Sequence, residues 1–210
     1  MRKGFLITFE GPEGGGKSTH IRLLAAYLRA QGKKVLLTRE PGGTRLAAGI
    51  RRLLLDGTDT ISPLAELFLY QADRAQHVRE TLLPQLRRGV TVLCDRYTDS
   101  TLAYQGFGRK LSMKTIQILN QVATGGLKPD CTVLIDVPVR RGLGLAKKKK
   151  SRHDRLERAG TAFHKRVRLG FLQLAKKEPK RFVVIRQQKA ISETQALIRK
   201  ALNGSLRGLR

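Results

Sequence analysis

The sequence predicts an α/β fold in which a doubly wound, five-stranded parallel sheet is flanked by helices. Five short apolar runs, each of a length suited to one strand, alternate along the chain with stretches of helical spacing. A helix between two strands favours parallel pairing and a right-handed crossover. The 210 residues, 40% of them hydrophobic, are enough to bury the core of one such domain.

A glycine-rich loop lies between the first predicted strand and the first predicted helix. Residues 4–10 form an apolar run typical of a buried strand. The face of the helix that follows is predicted from Ile21, Leu24, Ala25 and Leu28. The segment at 11–18 reads GPEGGGKS and has the spacing Gly-x-x-x-x-Gly-Lys-Ser. Such glycines allow successive backbone N–H groups to point at one phosphate, and the dipole of the helix N-terminus adds to the attraction.

This motif predicts a nucleotide site. Lys17 would reach the outer phosphates, and the hydroxyl of Ser18 would be a magnesium ligand. The residues predicted to bind the nucleotide are Gly11, Pro12, Glu13, Gly14, Gly15, Gly16, Lys17, Ser18 and Thr19. A nucleotide site does not by itself define a reaction, so the rest of the chain has to supply that information.

The next elements are a strand and two helices. Residues 35–38 read as a second buried strand, which ends in a loop of one proline and two glycines. Helical spacing predicts a helix over 46–55. Ser62 and Pro63 are typical of a helix N-cap and first position, and they predict a long helix that is bent or interrupted at Pro84.

Three further apolar runs predict the remaining strands, at 90–94, 131–136 and 182–185. Ser112 predicts the N-cap of a helix that ends at Gly125, and SETQ at 192–195 predicts a capping box for the last helix. The strand at 90–94 is followed by Asp95 and Arg96. Because doubly wound sheets bind ligands at the carboxyl ends of their strands, we expect both residues near the phosphate loop.

The composition is strongly basic, with a net charge of +26. Residues 101–210 hold 26 Lys or Arg against 6 Asp or Glu, so the excess lies in the second half. Such a charge suits a polyanion, but no aromatic interleaving marks a surface on which bases could stack. We favour a solvated basic surface, on which any binding of nucleic acid would be non-specific.

Cellular location and cysteine chemistry are also constrained by the sequence. There is no apolar run near 18 residues and no signal-peptide pattern before the first strand, so we expect a cytoplasmic protein without a membrane span. Cys94 and Cys131 both lie within apolar runs, where a small buried thiol is expected rather than a disulfide or a metal pair.

Charged residues suited to phosphate chemistry occur outside the loop. Asp95 ends an apolar strand and could complete the coordination shell of a magnesium ion. Arg51, Arg74 and Arg96 are each placed where a helix or strand could face the cleft, and a guanidinium group can bind two phosphate oxygens at once. Taken singly, each arginine is more typical of a surface cation, but together with Asp95 they sharpen the prediction of a phosphate site.

A basic segment predicts a mobile part of the domain. Residues 147–158 contain seven Lys or Arg between two helical stretches. The pattern indicates a lid, at about 142–160, that closes on a triphosphate and excludes water. We therefore expect residues 1–210 to form one domain with this lid.

Five segments of the sequence, taken together, form a recognisable set. In chain order they are FEG at 9–11, followed by the phosphate loop; REPGGT at 39–44; DR at 73–74; DRYTDSTLAYQG at 95–106; and DRLE at 154–157. The set resembles the family of bacterial thymidylate kinases, nucleoside monophosphate kinases with the fold of the phosphate-loop NTPases. The resemblance extends from the first strand to the last helix, and several of the motifs are long, so the combination is specific.

The resemblance implies a reaction and its partners. The γ-phosphoryl group of ATP would pass to dTMP, which gives dTDP and ADP, with Mg²⁺ as cofactor and a homodimer as the working form. Glu13 would accept a hydrogen bond from the sugar 3′-hydroxyl, and Tyr104 would crowd the 2′ position. Arg51 and Arg96 would hold the monophosphate.

The resemblance also implies how the base is recognised. Tyr70 would stack on it, Arg74 would donate to a thymine carbonyl, and Thr101 would contact its edge, with Gln105 nearby. Tyr70 stands where phenylalanine is usual in the family. The complete set of implied substrate-binding residues is Glu13, Arg39, Arg51, Tyr70, Arg74, Arg96, Thr101, Tyr104 and Gln105.

The lid departs from the family's pattern. Lysines at 147–150 stand where arginines and a glycine are usual, and a lysine cannot make the two-pronged phosphate contact of a guanidinium. The phosphate loop holds no arginine, which in this family goes with catalytic arginines supplied by the lid. The expected catalytic residues are therefore Lys17, Arg96, Arg152 and Arg155.

Three alternatives stay open. A kinase for another deoxynucleoside monophosphate would carry similar motifs, although Tyr104 favours a deoxy sugar and Arg74 with Thr101 favours thymine. A basic ATPase that grips a nucleic-acid backbone would lose that binding steeply with salt. A third possibility is a protein that has kept the fold and lost activity through the altered lid.

Overall fold

A computed structural model of the protein describes residues 4–56, 60–149, 155–156 and 158–206. The strands are β1 (Leu6–Glu10), β2 (Val35–Arg39), β3 (Thr91–Asp95), β4 (Cys131–Asp136) and β5 (Phe182–Arg186). They form a sheet of order β2-β3-β1-β4-β5 in which every neighbouring pair is parallel. The predicted fold class is confirmed.

Helices follow the strands in the alternation that the sequence predicts. They are α1 (Lys17–Ala30), α2 (Arg45–Leu55), α3 (Pro63–His77), α4 (Leu83–Arg87), α5 (Thr98–Thr101), α6 (Met113–Thr124), α7 (Val139–Lys149), α8 (Thr161–Lys177) and α9 (Ile191–Leu206). Two π-helical segments, Val78–Leu82 and Leu102–Gly108, connect α3 to α4 and continue α5. Among the described residues, no helix is long and apolar enough to cross a lipid bilayer.

Helices cover both faces of the sheet because successive side chains of a strand point to opposite sides. On β1, Ile7 and Phe9 pack in one cluster with Leu24 of α1 and Leu202 of α9. Leu6 packs in another cluster, with the first π-helical segment and α4. Each of these side chains is buried, and such burial contributes roughly 1.5–3 kcal/mol per side chain to folding.

A third cluster joins α8 to the second π-helical segment. It contains Tyr104, whose ring lies 6.1 Å from that of Phe163 and 6.0 Å from that of Phe171. The approach is close because glycines stand at the contact. A Cβ on Gly108 would lie 2.6 Å from the ring of Phe163, and a Cβ on Gly170 would lie 2.6 Å from the ring of Phe107. This packing fixes the position of Tyr104 in the cleft described below.

The predicted helix ends are largely confirmed. The Ser62 hydroxyl accepts from the backbone N–H of Ala65 at 3.3 Å, and the Ser112 hydroxyl caps α6 in the same way. Gly125 ends α6 in the left-handed conformation, with φ 58°. Pro84 marks an interruption as expected, because α3 ends at His77 and Pro84 lies in the first turn of α4.

Two predictions of local structure are wrong. Residues 35–38 are not a buried strand, because β2 is an edge strand with partly exposed side chains. The capping box at 192–195 is also wrong, since α9 begins at Ile191 and Ser192 lies inside its first turn. Instead Glu193 accepts the backbone N–H of Ala190, at 3.4 Å. The cap signal located the helix but placed its start two residues too late.

The parallel register brings the carboxyl ends of three strands together. Phe9 of β1 and Arg39 of β2 both pair with Asp95 of β3. Both cysteines are buried and free, as predicted. Cys94 donates from its thiol to the carbonyl of Arg96 at 3.0 Å, which supports the turn just after β3.

Candidate active site

The phosphate loop joins β1 to α1 and depends on glycine at its turns. Gly11, Gly14 and Gly16 have φ values of 132°, 73° and 80°, which side chains with a Cβ rarely adopt. A Cβ on Gly11 would also lie 2.3 Å from the carbonyl oxygen of Ile135. Because Gly16 is the N-cap of α1 and has no side chain, N–H groups of the first turn are left for a bound anion.

Lys17 lies within this loop with 7% of its surface exposed. Its Nζ donates to the carbonyls of Gly11 and Pro12, at 3.0 and 2.9 Å. Burial, together with the positive charge of Arg96, lowers the pKa of Lys17 to about 8. The charges of Glu13, Asp95 and Glu10 offset this lowering only in part, so a phosphate group would further stabilise the charged ammonium group.

The two predicted metal ligands are in contact. The Ser18 hydroxyl donates to Oδ2 of Asp95 at 2.7 Å. Both side chains offer oxygen atoms, and both line the same cleft. Mg²⁺ binds oxygen ligands and usually retains several waters, so a hydroxyl and one carboxylate at a phosphate site suit it.

Arg96 connects the phosphate loop with the opposite wall of the cleft. Its φ of 72° is unusual for a residue with a side chain. Nη1 donates to the Gly11 carbonyl and to the Ser100 hydroxyl, each at 3.1 Å. Nη2 donates to Oε1 of Glu13 at 2.7 Å and to the Tyr104 hydroxyl at 3.0 Å. The guanidinium group is therefore held between the phosphate loop and the opposite wall of the cleft.

Glu13 is ionised in this setting. Burial works to raise its pKa, but the charges of Arg96 and Lys17 and a hydrogen bond from Tyr104 lower it to about 2. The Tyr104 hydroxyl donates to Oε1 of Glu13 at 2.8 Å. Oε1 thus serves both of these donors, and no hydrogen bond among the described residues uses Oε2.

Glu10 supports this arrangement, although the sequence analysis gave it no role. It is fully buried at the end of β1, where it accepts from the Tyr97 backbone N–H at 2.8 Å and the Ser100 hydroxyl at 2.6 Å. Burial and the nearby Asp99 raise the pKa of Glu10 to about 8. Its bonds brace the strained turn that contains Arg96. A carboxylate inside an apolar strand was the signal that could have identified it.

A cleft of about 430 Å³ contains most of the predicted site residues. Those that line it are Glu13, Gly14, Gly16, Lys17, Ser18, Thr19, Arg39, Arg51, Tyr70, Arg74, Asp95, Arg96, Thr101, Tyr104 and Gln105. Ala146 and Leu156, which lie in the predicted lid, line it as well. The residues come from most of the length of the chain, and the fold assembles them around one space.

Arg74 lies deep in this cleft, with 1% of its surface exposed. Nε donates to Glu40 at 2.8 Å, and Nη1 donates to Asn120 at 2.8 Å and to Gln71 at 3.3 Å. Within the described part of the chain, none of the hydrogen bonds uses Nη2. The sequence analysis missed Asn120, because nothing local distinguishes an asparagine in the middle of a helix.

Glu40 holds Arg74 from the loop after β2. It also forms a hydrogen bond with His77, whose Nδ1 lies 2.9 Å from Glu40 Oε1. The other ring nitrogen of His77 is 2.7 Å from the Thr38 hydroxyl. A second acid, Asp73, is buried nearby and accepts the Gly42 backbone N–H at 2.7 Å. The network makes the position of Arg74 rigid.

Three further predicted residues border the cleft. Arg51 of α2 donates from Nη1 to the Pro41 carbonyl at 2.8 Å. Tyr70 is half-buried on α3, one helical turn before Arg74, and Arg39 is exposed at the end of β2. Their positions allow contact with a ligand between α2 and α3.

Arg155, one of the two predicted lid arginines, makes its contacts away from the phosphate loop. Arg155 donates from Nε to the Leu54 carbonyl at 3.0 Å and from Nη2 to the carboxylate of Glu66, and it does not line the cleft. Arg152 lies outside the described residues, as do the side chains at 148–151. The expectation that these arginines act at the phosphates stays a prediction.

Comparison with known proteins places the chain in a family. A family model described as thymidylate kinase matches residues 9–198. The chain belongs to the thymidylate kinase family. The resemblance predicted from the five motifs is confirmed, and so is the assignment to the phosphotransferases. Phosphorylation of dTMP with ATP, the predicted function, is thereby confirmed at the level of the family.

Curated relatives of bacterial origin agree over most of their length. A thymidylate kinase of Deinococcus radiodurans is 51% identical over 94% of this chain and 96% of its own. One from Citrifermentans bemidjiense is 49% identical over 98% of this chain and 94% of its own. The crystal structure of thymidylate kinase from Ehrlichia chaffeensis superposes with a TM-score of 0.79 at 35% identity, covering 95% and 98% of the two chains. These thymidylate kinases share the whole fold with this chain rather than a single motif.

Proposed function

We propose that this cleft binds the phosphates of ATP at the loop and dTMP between α3 and Tyr104, and that the γ-phosphoryl group passes directly between them. A phosphate oxygen of dTMP forms the new P–O bond while the bond from Pγ to the β-phosphate oxygen breaks, which yields dTDP and ADP. The observation that carries this proposal is the position of Arg96. One guanidinium contacts the phosphate loop through Gly11 and the opposite wall through Tyr104.

The loop supplies most of the charge neutralisation for the donor. The first turn of α1 and the ammonium group of Lys17 stabilise negative charge on the β- and γ-phosphates. Ser18 and Asp95 would hold Mg²⁺, which when bound neutralises phosphate charge. In a loose transition state charge spreads over the oxygens of the moving group, so positioning and electrostatics account for the catalysis. No dedicated base is required.

The acceptor is oriented through its sugar and phosphate. Arg96 and Arg51 bind the monophosphate, and Oε2 of Glu13 accepts a hydrogen bond from the 3′-hydroxyl. Tyr104 is held by Glu13 and by the rings of α8, so it cannot move aside for a ribose. Discrimination against a 2′-hydroxyl follows from that rigidity.

The base lies deeper, among Tyr70, Arg74, Thr101 and Gln105. Tyr70 stacks on it, and Nη2 of Arg74 donates to a carbonyl oxygen. Arg74 is already bound at Nε and Nη1, so it can offer a ligand only a fixed donor. A fixed donor selects a base with a carbonyl rather than an amino group at that position.

Exposed apolar side chains support a homodimer. Leu46 and Leu53 lie seven residues apart on α2, Leu64 and Phe68 four apart on α3, and Ile118 and Val122 four apart on α6. Helix α3 packs against both α2 and α6, and we infer that the three pairs lie on one apolar face. A contiguous apolar face of this kind suits association with a second copy. The enzyme is proposed to work in the cytoplasm, where its nucleotide substrates are made.

A coupled assay of ADP release tests the proposal. The enzyme, ATP and magnesium are mixed with dTMP, dUMP, dCMP, dGMP or the ribose analogue of TMP, and with single-stranded DNA as a further arm. Release driven by dTMP well above the others is expected. Release driven by DNA alone would mean that the basic charge, rather than the base pocket, is the functional feature.

A further inference from the structure

A buried carboxylate behind the base pocket has no part in the chemistry described above. Glu66 lies on α3 with none of its surface exposed. Its Oε1 accepts from Nε2 of Gln105 at 2.6 Å. Its Oε2 accepts from Arg155 and, at 3.1 Å, from Nη2 of Arg109. Arg109 Nε approaches Oε1 as well, at 3.3 Å.

This arrangement determines which way the amide of Gln105 faces. A carboxylate held by two guanidinium groups only accepts hydrogen bonds, so the amide of Gln105 must present its NH₂ group to Glu66. The carbonyl Oε1 of Gln105 is then directed away from that contact. Gln105 lines the cleft, and within the described residues no hydrogen bond uses its Oε1. Gln105 therefore presents a hydrogen-bond acceptor, rather than a donor, to the cleft.

We propose that Glu66 is a positioning residue for base selection, because it holds Gln105 with its carbonyl toward the base. This inference rests on the proposed role of Gln105 at the base edge. Thymine carries an N3–H donor between two carbonyls, whereas cytosine has an unprotonated N3 acceptor. An acceptor from Gln105 pairs with thymine N3–H and opposes cytosine N3, so the fixed amide favours dTMP over dCMP.

The substitution Glu66→Gln is expected to reverse the orientation of the Gln105 amide. Its amide oxygen would take the Oε2 position, where Arg155 and Arg109 both donate, and its NH₂ group would face Gln105. Gln105 would then turn its carbonyl toward residue 66 and its NH₂ toward the base. The ratio of kcat/KM for dTMP to that for dCMP is expected to fall by about tenfold or more, mainly through a higher KM for dTMP.

The double substitution Glu66→Gln with Gln105→Glu provides the matching rescue. The amide at 66 would donate to the carboxylate at 105, whose second oxygen would again offer an acceptor to N3–H. The number of charges in the cluster is unchanged. The dTMP preference is expected to return to within about threefold of wild type, an outcome that a merely structural role for Glu66 does not produce.

Two reference variants separate this inference from the proposed function. Arg109→Lys keeps a cation beside Glu66 and leaves the bond from Gln105 intact, so its base preference should match wild type. Gln105→Ala removes the acceptor itself and should lower the preference. If Gln105→Ala has no effect, the base-edge role of Gln105 fails, and the proposed function must be revised together with this inference.

Other outcomes test the role of Glu66 separately from the role of Gln105. A folded Glu66→Gln enzyme with the wild-type ratio, beside a Gln105→Ala enzyme with a reduced one, overturns the positioning role. If Glu66→Gln alone does not fold, as judged by thermal unfolding, the folded double variant decides. Retention of the dTMP preference supports the inference, and its loss overturns it.

Discussion

Ser18 and Asp95 are 77 positions apart, and their side chains are joined by a hydrogen bond of 2.7 Å. The contact forms because β1 and β3 are parallel neighbours that end at the same edge of the sheet. Ser18 lies just beyond the loop that follows β1, and Asp95 is the last residue of β3. The two oxygens therefore form a small polar site at the point where a nucleotide's phosphates would enter.

Asp95→Asn is expected to weaken the use of magnesium. The change removes one negative charge with almost no change in size, so the Mg²⁺ concentration for half-maximal rate should rise by about tenfold or more. A magnesium titration of ADP release at saturating ATP and dTMP measures it. Glu80→Gln, an exposed acid in the first π-helical segment, is the control and should leave the curve unchanged. If Asp95→Asn gives the same magnesium titration curve as wild type, Asp95 is not a magnesium ligand.

Lys17→Ala is expected to abolish phosphoryl transfer. The ammonium group is directed into the loop by the carbonyls of Gly11 and Pro12, and its loss should lower kcat by about 10³-fold. Calorimetric binding of dTMP should be retained, which would show that the acceptor site is intact. Normal turnover by this variant would contradict the role assigned to the phosphate loop.

The two lid arginines are expected to differ. Arg155 donates to Leu54 and Glu66, so Arg155→Lys should chiefly lower the melting temperature. Arg152→Lys should chiefly lower kcat, by about tenfold, because a lysine cannot contact two phosphate oxygens at once. Thermal unfolding and single-turnover rates measure the two effects. If neither variant slows transfer, the assignment of catalytic arginines to the lid is wrong.

Phe68→Glu is expected to dissociate the proposed dimer. Phe68 is 52% exposed in the middle of the apolar face of α2, α3 and α6, where a buried charge should raise the dissociation constant by about 100-fold or more. Leu169→Glu on α8 is a matched control, since Leu169 is also 52% exposed. Sedimentation analysis should find a monomer for the first variant and a dimer for the second. A monomeric wild type would refute the homodimer.

Asp73→Asn is expected to change how stability depends on pH. Burial and the charge of Glu40 raise the pKa of Asp73 to about 7, against the lowering influence of Gly42, His77 and Arg74. Because the folded state keeps this proton up to about pH 7 and the unfolded chain loses it near pH 4, Asp73 costs stability as the pH rises between these values. The asparagine does not titrate. The free energy of unfolding of the variant, relative to wild type, should therefore be about 2.5 kcal/mol higher at pH 8 than at pH 5.

Urea unfolding across this pH range measures that difference. Oδ2 of Asp73 has no hydrogen-bond partner among the described residues, and in the variant an NH₂ group takes its place. This change adds an offset that does not vary with pH. The difference between the two curves isolates Asp73 from His77, which is present in both proteins. A difference that stays flat from pH 5 to pH 8 would show that Asp73 is ionised throughout.

Some parts of the site could be derived before any coordinates because their signals are local. The spacing of its glycines identifies the loop at 11–18, and each strand of the sheet is a contiguous apolar run. Asp95 and Arg96 were expected near that loop from the rule that parallel strands end at one edge. The edge position of β2 could not be derived in this way, because a half-buried strand with an apolar sequence looks the same as a central one.

The order of elements, the phosphate loop and the family were determined by the sequence alone, since spacing and composition over short stretches carry them. Only the tertiary structure decided which polar groups face each other, as with Gln105 and Glu66 at 39 positions apart or Arg155 and Glu66 at 89. Such pairs leave no local pattern. They exist because burial forces each polar group to find a partner, and the partner is whatever group the packing of distant elements brings within reach.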